Sequence, residues 1–86
     1  MNWRVEWSER AIDDLRHLPP RDARRVMNAM ERYASTGHGD VRKIRGHRGL
    51  FRLRSGVWRI LFTPDIEARC LYVLAVSHRR EAYRGD

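Results

Sequence analysis

Residues 50–61 read LFRLRSGVWRIL, and the way this stretch folds back on itself decides the architecture. Apolar and polar residues alternate on both sides of Ser55-Gly56, as expected of two strands joined by a tight turn. With a loop of two or four residues centred on Ser55-Gly56, Arg54 falls opposite Val57, Leu53 opposite Trp58, and Arg52 opposite Arg59. Successive side chains point to opposite faces, so Phe51, Leu53, Trp58, Ile60 and Phe62 share one face. Arg52, Arg54 and Arg59 share the other. The first face needs an apolar cover. The second places like charges directly across from each other, which is destabilising by itself. Such a face is either solvated or used to hold an anion.

The cover is found upstream. Trp3-Arg4-Val5-Glu6-Trp7 alternates as a half-buried strand does. Ser8 is a helix N-cap with Glu9 in the first turn, and Ala11, Ile12, Leu15 and Leu18 recur at helical spacing. Pro19-Pro20 ends this helix and opens another. Ala23, Val26, Met27, Met30, Tyr33 and Ala34 form the apolar stripe of the second helix, with Arg21, Arg24, Arg25 and Arg32 largely off it. Residues 35–40, with Gly37 and Gly39, read as a turn. Downstream, Thr63-Pro64-Asp65 begins a turn. Cys70–Val76 (CLYVLAV) is a nearly unbroken apolar run, as in a central strand covered on both faces. The order β-α-α-β-β-β implies an α+β domain spanning residues 1–86. Its two antiparallel helices pack on one face of a mainly antiparallel sheet.

Composition narrows the partners. Eighteen basic residues against eleven acidic ones give a net charge of +7, and Lys43 is the sole lysine. Guanidinium groups are planar, permanently charged and able to grip phosphate or carboxylate through two parallel hydrogen bonds. The field therefore favours polyanions. No apolar segment approaches the roughly 20 residues of a membrane span, and the start is not that of a signal peptide, so the expected setting is cytoplasmic. A single cysteine, Cys70, excludes an internal disulfide framework and reads as a small buried residue. His17, His38, His47 and His78 show no metal-ligand spacing. No phosphate-binding glycine loop, serine elbow or paired carboxylates occur. No metal or cofactor is expected.

The ending SHRREAY adds to the arginine face. A strand end beside the hairpin brings Arg79 and Tyr83 towards it, although Tyr83 is equally suited to closing the core. His78 reads as a packed or hydrogen-bonded histidine.

Taken together, WRVEWSERAIDDLRHLPPRDARRV, RGHRGLFRLRSGVWRILF and VLAVSHRREAY make the chain resemble the RelE/ParE superfamily of bacterial toxins over nearly its full length, the RelE-like branch in particular. The resemblance implies the same small α+β fold. It also implies the toxin of a type II toxin–antitoxin pair, an endoribonuclease that cuts mRNA in the ribosomal A site without a metal. Its partners would be a cognate antitoxin, the ribosome and mRNA. The implied catalytic residues are Arg52, Arg54, Arg59, Arg79 and Tyr83, with Lys43, Arg45, Arg48 and Arg80 as further phosphate contacts. The best-known members carry lysines where this chain has Arg52 and Arg54. Arginine effectively cannot lose its proton, so Tyr83 is the better candidate proton acceptor. ParE-type members share the fold and inhibit DNA gyrase by binding, one alternative reading; a catalytically weak domain whose basic face only binds its antitoxin is the other.

Overall fold

Ser8 sets the first corner of the chain. Its backbone is extended (φ −66°, ψ 164°) and its Oγ accepts from the Ala11 amide at 3.0 Å. That cap separates strand β1 (Arg4–Trp7) from helix α1 (Glu9–Arg16). Pro19 and Pro20 then start helix α2 (Pro20–Thr36). Gly37 stops α2 in the left-handed region at φ 79°, where its missing Cβ avoids a clash, and its N–H returns to Tyr33 O at 2.8 Å. In this computed structural model, which describes residues 2–80, four strands follow. They are β2 (Asp40–Lys43), β3 (Phe51–Ser55), β4 (Trp58–Asp65) and β5 (Cys70–His78).

The expected α+β order holds, with β2 as an added strand taken from the stretch next to the expected turn. The sheet order is β1-β5-β4-β3-β2, antiparallel except for the parallel β1–β5 pair. β2 is an edge strand in which only Val41 is apolar and packs against the core. Its charged neighbours suit an edge and hide the strand from periodicity.

Both helices pack on one face of the sheet. Ala11 of α1 and Val26, Met30 and Ala34 of α2 are buried against Leu53, Ile60, Phe62, Leu71, Val73 and Val76. Burying Leu53, Ile60 and Phe62 each contributes about 1.5–3 kcal/mol. Tyr33 and Phe51 pack against Phe62, with ring centroids 5.7 and 5.8 Å away. Two positions of the expected helix stripes, Ile12 and Met27, lie at the margin and stay 40% and 44% exposed.

The hairpin register differs from the expected one. The turn is Gly56-Val57, with Ser55 opposite Trp58, Arg54 opposite Arg59, Leu53 opposite Ile60 and Arg52 opposite Leu61. Gly56 supplies the positive φ of 60° that the two-residue turn requires. Each residue of β3 therefore pairs two places further along β4 than expected. Because two is the side-chain period, the faces are unchanged and only the cross-strand partners change.

The run CLYVLAV is not covered on both faces. β5 is central and packs under the helices, but Tyr72 is 40% exposed on the other side. Pairing shifts between Leu61 and Phe62, so that Leu61 meets Ala75, Phe62 meets Val73, and Leu74 is the extra residue of a β-bulge. The bulge switches the alternation, and the core-facing positions run Leu71, Val73, then Val76. Apolar residues of both parities thus merge into one run. Helix α1 satisfies the backbone around the bulge. Ser8 Oγ donates to Leu74 O at 3.0 Å, and Asp14 Oδ2 accepts from Val76 N at 2.8 Å.

Candidate functional site

The helix-free face of the sheet carries the arginines. Alternation puts Arg52 and Arg54 of β3 on this face together with Arg59 of β4 and Asp40 and Arg42 of β2. Arg54 is opposite Arg59 across the β3–β4 hairpin. Arg59 in turn is opposite Ser77 on β5. Two rungs further, past Trp58–His78, the Arg79 N–H donates to Val57 O at 2.8 Å, which ties the residue after β5 to the hairpin tip. Arg54 and Arg59 therefore share one rung, and Arg79 lies two rungs further along at the same end of the open face. Arg54 and Arg79 are exposed and Arg59 is half-buried.

Arg52 stands apart from this trio. It is only 8% exposed, opposite Arg42 on one side and Leu61 on the other. Its Nη1 donates to Asp40 O at 3.2 Å and lies 3.6 Å from Asp40 Oδ1. The other carboxylate oxygen, Oδ2, is 3.9 Å from Arg54 Nε. Asp40 thus sits between two arginines, and the inner one is engaged and covered. The expected Arg52–Arg59 cross-strand pair is replaced by Arg54–Arg59.

The remaining expected contacts spread out. Arg80 follows Arg79, is exposed, and its N–H donates to His78 Nδ1 at 3.1 Å. Lys43 ends β2 opposite Phe51, on the alternate parity from Arg42 and Arg52. Arg45 and Arg48 are exposed in the β2–β3 connection, at the end of β3 remote from the Gly56-Val57 turn. They do not join the trio. Tyr83 lies outside the described residues. Arg42 and Asp40 are the face residues missing from the sequence reading, because their strand was not recognised. A pairing of DVRK with FRLR would have placed Asp40 opposite Arg54 and Arg42 opposite Arg52.

The far side of the face is electrostatically quieter. Arg4 Nη2 is 2.8 Å from Glu6 Oε2 on β1. The hydrogen bond to Glu6, followed by the nearby Cys70 thiol, raises the pKa of the exposed Arg4 above its ordinary value. A cleft of about 310 Å³, lined by Trp3, Tyr33, Phe51, Phe62, Pro64, Ile66 and Leu71, opens at the other end of the sheet and holds no charged group. The arginine trio is a surface and not a cavity, which suits a polymer better than a small molecule.

Known proteins share this fold. A chain of the RelBE2 toxin–antitoxin complex from Mycobacterium tuberculosis is 28% identical, with a TM-score of 0.75 over 92% of this chain and all of that one. The archaeal RelE–RelB complex from Pyrococcus horikoshii OT3 gives a TM-score of 0.77 at 23% identity over 95% of this chain and all of the matched one, a likeness of fold. The RelE1 protein of Methanocaldococcus jannaschii is 24% identical over 89 residues, covering 99% of each chain. The family model described as "ParE toxin of type II toxin-antitoxin system, parDE" matches residues 5–83. With that match spanning nearly the whole chain, the protein belongs to the ParE toxin family of type II toxin–antitoxin systems, within the RelE/ParE superfamily.

Proposed function

We propose that this toxin is an endoribonuclease acting on mRNA in the ribosomal A site, and that the open sheet face binds the scissile phosphate. The observation that carries the reading is the cross-strand Arg54–Arg59 pair with Arg79 two rungs away at the same end of the sheet. Guanidinium groups gathered at one end of an open face attract the polyanionic backbone, and each can grip a phosphate with bidentate geometry.

In the proposed step the ribose 2′-oxygen attacks the adjacent phosphorus while the bond from phosphorus to the 5′-oxygen breaks. The products are a 2′,3′-cyclic phosphate and a 5′-hydroxyl. Positive charge must meet the negative charge that accumulates on the phosphate oxygens, and Arg54, Arg59 and Arg79 supply it. A proton leaves the 2′-hydroxyl and another reaches the 5′-oxygen. Arginine cannot accept the first, so Tyr83 takes that role as its phenolate, and solvent water supplies the second, with Arg80 as an outer phosphate contact. Arg52 is assigned to the framework, since its charge is engaged by Asp40. The step uses guanidinium charge where other nucleases use a metal ion.

The partner that restrains such an activity is a cognate antitoxin, as the RelBE2 and RelE–RelB complexes of similar proteins suggest. An acidic segment laid over the arginine face would block it. The cytoplasm is the matching location, and no described helix is long and apolar enough to cross a membrane.

The ParE description of the matching family favours a second reading, inhibition of DNA gyrase by binding. Programmed ribosomes with mRNA in chelator, run beside a gyrase supercoiling assay, separate the two. Cleavage within the A-site codon with supercoiling intact is the expected result. Lost supercoiling without cleavage overturns the nuclease reading.

A further inference from the structure

We infer that His78 is a positioning residue, whose Nδ1 holds the Arg79-Arg80 turn in place at the tip of the β3–β4 hairpin. The inference that this turn delivers Arg79 to phosphate rests on the proposed nuclease reading; the hold on the turn does not.

A backbone N–H only donates, so the Arg80 amide, 3.1 Å from His78 Nδ1, requires a lone pair on that nitrogen. The ring proton is therefore on Nε2. The bond spans two residues, from side chain to the amide at i+2, as an aspartate or asparagine does in an Asx-turn. It bends the chain immediately after β5, where the ladder has one rung left, the Arg79 N–H to Val57 O bond. The two bonds work together: one fixes Arg79 against the hairpin and the other fixes the residue after it.

The imidazole is itself held. Trp58, opposite His78 in the β4–β5 ladder, meets its ring edge-on at 84°, with centroids 5.4 Å apart. Trp58 Nε1 donates to Asp22 Oδ2 in the first turn of α2 at 3.3 Å. A chain of contacts thus runs from the start of α2 through the indole and the imidazole to the turn. An aromatic ring alone would fill the space beside Trp58. Only an acceptor at the δ position also bends the backbone.

The test uses the full chain with His78 replaced by Ala, Gln or Asn, all checked for folding by thermal melting. Asparagine keeps an acceptor at the δ position, and glutamine moves it one bond away. Two readouts are taken: hydrogen exchange of the Arg79 and Arg80 amides, and kcat and KM for mRNA cleavage on programmed ribosomes. His78→Ala and His78→Gln should speed exchange of the Arg80 amide by about tenfold, the loss of one hydrogen bond. They should lower kcat by about 10²-fold with little change in KM, as a misplaced catalytic group does. His78→Asn should restore both. Exchange that is equal in all variants, or asparagine failing alongside alanine, overturns the inference. Faster exchange with unchanged cleavage overturns the link to Arg79. If the native chain itself does not cleave, the nuclease reading falls, and the exchange ranking alone decides whether His78 holds the turn.

Discussion

Arg52 and Arg54 are two residues apart on one strand and share a face, yet their surroundings assign them different work. Arg52 is covered and bonded to Asp40, so its stem packs and its charge is spoken for. Arg54 is exposed beside Arg59. Substitution should separate these roles. Asp40→Asn removes the carboxylate from the covered Arg52 and should cost about 1–2 kcal/mol in urea denaturation. An unchanged midpoint would show that the ion pair contributes nothing. Arg54→Ala should leave the unfolding midpoint nearly unmoved, and Arg54→Ala and Arg59→Ala should each lower kcat for ribosomal mRNA cleavage by about 10²–10³-fold. The same loss is expected for Arg79→Ala, and Tyr83→Phe should abolish cleavage with the fold intact; full activity in both variants would place the site elsewhere.

Among the elements, α1 and β5 depend on each other more than their lengths suggest. Helix α1 has eight residues, too few to be stable alone, and it is anchored at both ends of its inner face. Ser8 caps it and also donates to Leu74 O, and Asp14 closes the Val76 amide beside the bulge. Ser8→Ala removes a cap and leaves a carbonyl without its donor, for an expected loss of about 1–2 kcal/mol. Asp14→Ala leaves the Val76 amide without its acceptor and should cost about 1–3 kcal/mol. Both values can be read from denaturant midpoints. Additivity within a few tenths of a kcal/mol in the double variant would mean that the bulge does not couple the two residues.

Over the whole molecule, charge is distributed and not confined to the proposed site. Arg21, Arg24 and Arg25 belong to α2, on the helix side of the sheet, Arg32 borders a cleft that Arg54 also lines, and no described ion pair engages these four. With a net charge of +7, the protein should bind single-stranded RNA with a logarithmic salt slope that reports the phosphates neutralised. Arg54→Ala and Arg59→Ala should each reduce that slope by about 0.7, measured by fluorescence anisotropy across a salt series. A slope untouched by both would place the phosphate contacts off the hairpin.

What could be read without coordinates was whatever depends on period and on local chemistry. The two faces of LFRLRSGVWRIL, the Ser8 cap, the Pro19-Pro20 break and the apolar stripe of α2 are each written in neighbouring residues. The helices packed on one face of a sheet follow from them. The face assignment held even though the register did not, because a shift of two leaves alternation intact. Three features needed the tertiary structure. β2 is short and charged, so only its pairing with β3 makes it a strand and brings Asp40 and Arg42 to the arginine face. The bulge at Leu74 divides an apolar run that looks two-sided when read as a string. The covered Arg52 and the exposed Arg54 have the same chemistry and the same parity. Only the partners arriving from residues far away in the chain, Arg42 and Leu61 on either side of one and Asp40 and Arg59 on either side of the other, set them apart.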